Sequence, residues 1–166
     1  MAHGTRTLVA RTGRVKWKTL GRYSCNIRGS RFKRCGGNGA AGLEITPYYM
    51  VKIRELVLNR GEYRGKRVVS SEWIDQMTRS QISTNNAQPY GPGYGYCWWV
   101  GQNDGASYAF ANGWGGQFIV VVPDANLVVV ATNQWQGVAT SVANDQWYRT
   151  INLIMTNILP AFKKTR

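Results

Sequence analysis

Along this chain the spacing of apolar residues changes from a helical period to an alternating one and back again. Met50, Ile53 and Val57 recur on one helical face, with Tyr49 and Leu56 beside them. Thr46 suits an N-cap, and Pro47 fits the first helical position, where its missing N–H costs nothing. Asn59-Arg60-Gly61 supplies the stop, Gly61 being suited to a left-handed C′ position. Together these features predict a helix over 47–59. A turn-rich stretch from Gly61 to Arg67 follows. Ser70 or Ser71 can then cap a second helix, with Glu72 near its positive end and Trp73, Ile74 and Met77 as a buried stripe. Gln81 to Pro92 reads as a loop.

The period then becomes two. Tyr94, Tyr96, Trp98 and Val100 share one face of a predicted strand, with Ser107 to Ala111 as its hairpin partner. Gln117 to Val122 and Leu127 to Ala131 are β-branched runs joined by Pro123-Asp124-Ala125-Asn126, which has turn chemistry. This is the strongest hairpin signal in the chain, and its near-continuous valine predicts burial on both faces. Ala143, Trp147, Ile151, Ile154 and Ile158 predict a closing helix over about 140–159 that Pro160 stops. The order implies an α+β fold, an antiparallel sheet flanked by helices.

Residues 1–36 show neither period, and charge sets them apart. The chain carries 21 Lys and Arg against 8 Asp and Glu, a net of +13. Met1 to Leu43 holds ten basic residues and no acid, whereas Glu44 to Arg166 holds eleven basic and eight acidic ones. The composition therefore divides the chain into a basic irregular segment, 1–38, and an orderly part, 39–166. Three readings of the segment stay open: a basic arm that neutralises phosphates on nucleic acid, a solvated or disordered tail, and a stretch translated out of frame.

The remaining composition narrows the classes. A chain of 166 residues that is 43% hydrophobic and 12% aromatic is one globular domain's worth of sequence, not a disordered tail. No apolar run approaches the roughly 20 residues of a membrane-spanning helix. The first thirty residues lack the apolar core of a secretory signal, so any export address is absent or lies upstream of Met1. Three cysteines (Cys25, Cys35, Cys97) and one histidine (His3) make neither a disulfide framework nor a metal site, and no cofactor is implied.

Several stretches resemble one family in that family's order. Gly42-Leu43-Glu44-Ile45-Thr46-Pro47, the helix after it, and Leu58-Asn59-Arg60-Gly61-Glu62-Tyr63-Arg64-Gly65-Lys66 are similar to a segment of the serine β-lactamase-related hydrolases. These include class C β-lactamases, penicillin-binding-protein-like peptidases and esterases. Ser71-Glu72-Trp73-Ile74, Tyr94-Gly95-Tyr96-Cys97-Trp98-Trp99-Val100 and Gly113-Trp114-Gly115-Gly116-Gln117 extend the resemblance over roughly residues 40–160. It implies the C-terminal part of a serine β-lactamase/transpeptidase-like fold, from a family often exported in bacteria.

The resemblance also implies acyl transfer on a small ester or amide substrate. In the family a Ser in an S-x-x-K motif is the nucleophile, a Lys and a Tyr handle protons, and a third motif lies on the edge strand of the sheet. Trp114-Gly115-Gly116 stands at that third motif as substrate-binding residues, and the backbone N–H of Gln117 stands as the oxyanion donor. Donors fixed in advance stabilise the charge that develops on a tetrahedral oxygen, and glycines let substrate approach without a Cβ in the way. Trp114 offers no cation for a substrate carboxylate, which points to the esterase-like branch.

The nucleophile itself is missing from the pattern. Ser30-Arg31-Phe32-Lys33 spells S-x-x-K and Tyr23-Ser24-Cys25 faintly resembles the tyrosine motif, but they are in the wrong order and too close together. A serine without an adjacent base is a weak nucleophile. The expectation is a C-terminal fragment, inactive alone. Missing cover would expose Trp73, Trp98, Trp99, Trp114 and Trp147 and favour self-association. The competing classes are a basic nucleic-acid-binding module, disfavoured by the nearly neutral remainder, and a non-catalytic binding domain on the same fold.

Overall fold

A computed structural model describes residues 6–11, 14–16, 46–85, 89–103 and 105–162. Among the described residues ten strands and three main helices follow one another. They are β1 (Arg6–Arg11), β2 (Arg14–Lys16), α1 (Pro47–Leu58), β3 (Glu62–Tyr63), β4 (Lys66–Arg67), α2 (Ser71–Met77), β5 (Ile82–Ser83), β6 (Gly93–Tyr94), β7 (Trp99–Asn103), β8 (Ala106–Gly113), β9 (Gln117–Val122), β10 (Leu127–Thr132) and α3 (Thr140–Asn152). Eight strands form one antiparallel sheet in the order β2-β1-β10-β9-β8-β7-β6-β5, and β3–β4 is a separate small ribbon. The fold is α+β, an antiparallel sheet flanked by helices.

The β9–β10 hairpin forms the middle of the sheet because its side chains are apolar in both directions. Leu127 pairs with Val122 and Ala131 with Phe118. Successive residues point to opposite faces, so one run feeds two cores. Phe118, Val120, Val122, Leu127, Val129 and Ala131 pack with Phe110 and with Ile151, Ile154 and Met155 of the C-terminal helix. Ile119, Val121, Val128 and Val130 pack on the other side with Met50, Val57, Ile74 and Trp98. Pro123–Ala125 forms a short 3-10 turn, and Asn126 closes it with φ 48°.

The helices largely follow their capping residues. Thr46 is the N-cap residue of α1 with Pro47 behind it, though its side chain makes no capping bond. At the other end Arg60 (φ 50°) and Gly61 (φ 93°) both turn left-handed. Ser70 caps α2, its Oγ accepting from the Trp73 N–H at 3.1 Å. The N–H of Glu72, the Ser71 hydroxyl and the Ser70 cap all favour the ionised form of Glu72, holding its carboxyl below the ordinary value.

Several expectations are corrected. The strand expected from Tyr94 to Val100 is two strands, β6 and β7, separated by a tight turn in which Gly95 N–H donates to Trp98 O at 2.7 Å and Cys97 has φ 64°. The alternating aromatics imitate a strand across that turn. Trp73 lies on an exposed side of α2, stacked on Tyr96 at 5.2 Å. Pro160 does not stop the closing helix: α3 runs into wider π-type turns over Leu153–Ile158 and continues through Leu159–Ala161. Opening the turns ahead of a proline relieves the clash of its ring with the carbonyl four residues back.

The irregular reading of residues 1–38 is also revised at two places. β1 pairs with β10 from Arg6↔Thr132 to Arg11↔Leu127, and β2 returns along it. Nor is the sheet bare. Helices cover both faces, so Trp98 is buried and Trp99 and Trp147 are half-buried, leaving Trp73 and Trp114 exposed among the five tryptophans expected at the surface. Among the described residues no helix is long and apolar enough to cross a membrane.

Candidate functional site

Trp114, Gly115 and Gly116 form the three-residue loop that joins β8 to β9, whose last pair is Gly113↔Gln117. Both strands are interior to the sheet, so the segment sits at the end of a central hairpin and not on an edge strand as expected. Gly115 (φ 71°) and Gly116 (φ 83°) supply the left-handed turn, and Gly116 N–H donates to Gly113 O at 3.3 Å. Trp114 projects outward, 53% exposed.

The loop is tied down from behind. Asn133, buried just beyond β10, donates from Nδ2 to Gly116 O at 2.7 Å and to Thr150 Oγ1 of α3 at 2.9 Å. Its own carbonyl accepts from Gln117 Nε2 at 3.0 Å. A Cβ on Gly116 would lie 2.6 Å from Asn133 Nδ2 and 3.0 Å from Gln146 O, and one on Gly115 would lie 2.9 Å from Trp135 Cβ. Both glycines are buried against these neighbours. Their lack of a side chain therefore serves the turn and its close packing on α3. Asn133, Thr150 and Gln146 were not singled out from sequence, because nothing in their spacing marks a tie between a strand end and a distant helix.

Around the loop the exposed surface is aromatic and amide-rich. Trp135, 40% exposed, stands behind Gly115. Asn112 on β8 accepts from Trp99 Nε1 at 3.1 Å. Further along β8, Tyr108 Oη donates to Tyr90 O at 2.6 Å, and burial, with a smaller contribution from Tyr90, pushes its hydroxyl up to about 12. Among the described residues no serine, threonine or cysteine is paired with a lysine or histidine, and no cluster of metal-ligating side chains occurs. Ser30, Lys33, Tyr23 and His3 lie outside the described residues. The structure thus brings together Trp114, Gly115, Gly116 and Gln117, with no hydroxyl or thiol paired to a lysine or histidine beside them among the described residues.

A family model described as "Beta-lactamase" matches residues 2–151. No curated protein matches the chain. Among solved structures it is similar to an octameric penicillin-binding protein homologue from Pyrococcus abyssi, at 23% identity over 61% of this chain and 22% of that one, TM-score 0.43. It is also similar to a penicillin-binding protein homologue from Caulobacter crescentus, at 15% identity over 61% of this chain and 29% of that one, TM-score 0.44. A family VIII carboxylesterase is similar at 21% identity over 61% and 30%, TM-score 0.38. The chain spans less than a third of the length of each of the three.

Proposed function

The chain belongs to the beta-lactamase family, and on that premise we propose that it is the C-terminal, sheet-bearing portion of a serine acyl-transfer hydrolase. The orderly part, 39–166, carries the helices and most of the sheet, to which β1 and β2 add two strands. The β8–β9 loop forms one wall of the acyl pocket. Trp114 lies against the apolar part of an ester or amide substrate, Gly115 and Gly116 set the loop's shape beside it, and the N–H of Gln117 faces the developing oxyanion. An indole at position 114 in place of a cation favours a neutral ester over a substrate with a carboxylate.

The observation that carries this reading is the fixed loop. Asn133 bonds it to the end of β10 and to α3 at once, and donors held in place before reaction are what acyl transfer requires. With no nucleophile–base pair beside the loop among the described residues, binding without turnover is the expected behaviour.

Saturation-transfer NMR with a short-chain aryl ester tests both halves. Transfer to the ester that is lost in Trp114→Ala is expected, with hydrolysis at background. Transfer indifferent to Trp114→Ala would remove the pocket. Turnover abolished by Ser30→Ala would overturn the fragment reading.

A further inference from the structure

Six of the seven tryptophans lie among the described residues, and the fold accounts for four of them. Trp98 is buried with Met50, Val57 and Ile74. Trp73 stacks on Tyr96 at 5.2 Å, and Trp147 packs on Phe118 at 5.5 Å. Trp99 packs on Tyr94 at 4.7 Å and donates from Nε1 to Asn112. Trp114 and Trp135 differ. They are 53% and 40% exposed, and among the described residues neither has a ring partner or an indole hydrogen bond.

Both stand at Gly115. Trp114 precedes it in the chain, and Trp135 packs on it so closely that a Cβ at position 115 would lie 2.9 Å from Trp135 Cβ. Hydrogen bonds hold this placement. Asn133, two residues before Trp135, donates to Gly116 O at 2.7 Å and accepts from Gln117 Nε2 at 3.0 Å. Gln134 Nε2 donates to Gln136 O at 3.3 Å across Trp135 itself. Neither connection is charged: residues 112–117 and 133–139 hold only amide, glycine and apolar residues, in a chain of net +13.

An indole presents a broad apolar face, and leaving it in water forgoes the burial that the other four contribute. Two such faces adjoining at one glycine, on an uncharged surface, suit a flat neutral ring, which gains from ring–ring geometry beyond the area it buries. We infer that Trp135 is a specificity-determining residue and that the substrate is the ester or amide of an aromatic group, whose ring rests on Trp114 and Trp135 together. The inference rests on the acyl-transfer reading of the Trp114 loop and names the substrate class that this loop takes.

Phenyl acetate and cyclohexyl acetate separate ring stacking from plain apolar burial, because the saturated ring has at least as much apolar surface but no π face. Their dissociation constants are measured on the full chain by ligand-observed NMR titration. Phenyl acetate should bind roughly three- to tenfold more tightly, Trp135→Leu should remove that preference, and Trp135→Phe should keep most of it. The ratio is taken within one chain, so a partly unfolded variant weakens both esters alike and leaves the ratio unchanged. Equal binding of both esters, lost for both in Trp114→Ala, would leave the pocket standing and overturn the aromatic substrate. A phenyl preference untouched by Trp135→Leu would overturn the role of Trp135. If neither ester binds, the acyl-pocket reading fails and this inference falls with it.

Discussion

The two faces of the sheet use the same strands and are closed in different ways. Under α3 the aromatic core of Phe110, Phe118 and Trp147 is continuous, and the polar groups at its margin are bonded through Asn133 and Thr150. Under α1 the cover is aliphatic and carries Arg54 at the centre of its stripe with two nitrogens unbonded. The difference teaches that covering a sheet and satisfying its cover are separate problems. The α3 face bonds Asn133 and Thr150 and leaves one amide oxygen, Gln146 Oε1, unbonded, whereas the α1 face buries a charged group, Arg54, with no ion-pair partner among the described residues.

Neighbouring positions on β9 test this contrast most strongly. Phe118→Ala should cost about 4 kcal/mol and Ile119→Ala about 2–3 kcal/mol, because Phe118 is the larger side chain and is fully buried whereas Ile119 is 7% exposed. Urea denaturation of both variants measures the pair, and equal losses would erase the contrast. Gly116→Ala comes next, at about 3 kcal/mol, since it combines a left-handed φ with a Cβ 2.6 Å from Asn133 Nδ2. Loss of exchange protection at the Asn133 Nδ2 protons, which donate to Gly116 O and Thr150 Oγ1, together with that destabilisation would show that the tie from loop to α3 had broken.

Tyr108→Phe should have the smallest effect and the most specific one. Its loss at neutral pH should be about 1 kcal/mol, from the bond to Tyr90 O. Below pH 10 the hydroxyl keeps its proton folded or unfolded. Between pH 10 and about 12 the unfolded chain releases it first, so stability falls through that window. The variant should lack this part of the fall, read as the difference between alkaline denaturation midpoints of the two chains.

What the sequence revealed followed from how local each signal was. The β9–β10 hairpin, the Ser70 cap and the start of α1 were legible because runs of valine, a capping serine and a proline act within a few residues. The Tyr94–Val100 strand failed because a left-handed Cys97 is invisible in an alternating pattern. Trp73 failed because α2 is too short for its spacing to say which side meets the sheet. Arg54 stands at the same spacing as Met50 and Val57, at i, i+4 and i+7, but it was not singled out because the helical face was read from apolar residues alone. At the candidate site the loop glycines were visible, while the Asn133 tie depends on elements far apart in the chain.

The pairing of β1 with β10 sets a timetable for synthesis. Partners such as Leu8 and Val130 are separated by roughly 120 residues, so that flank of the sheet zips up only once Leu127–Thr132 has left the ribosome. Until then β1, the earlier of the two to emerge, waits without its partner strand. A nascent chain paused before Leu127 would therefore hold β1 with the backbone edge meant for β10 unpaired by it.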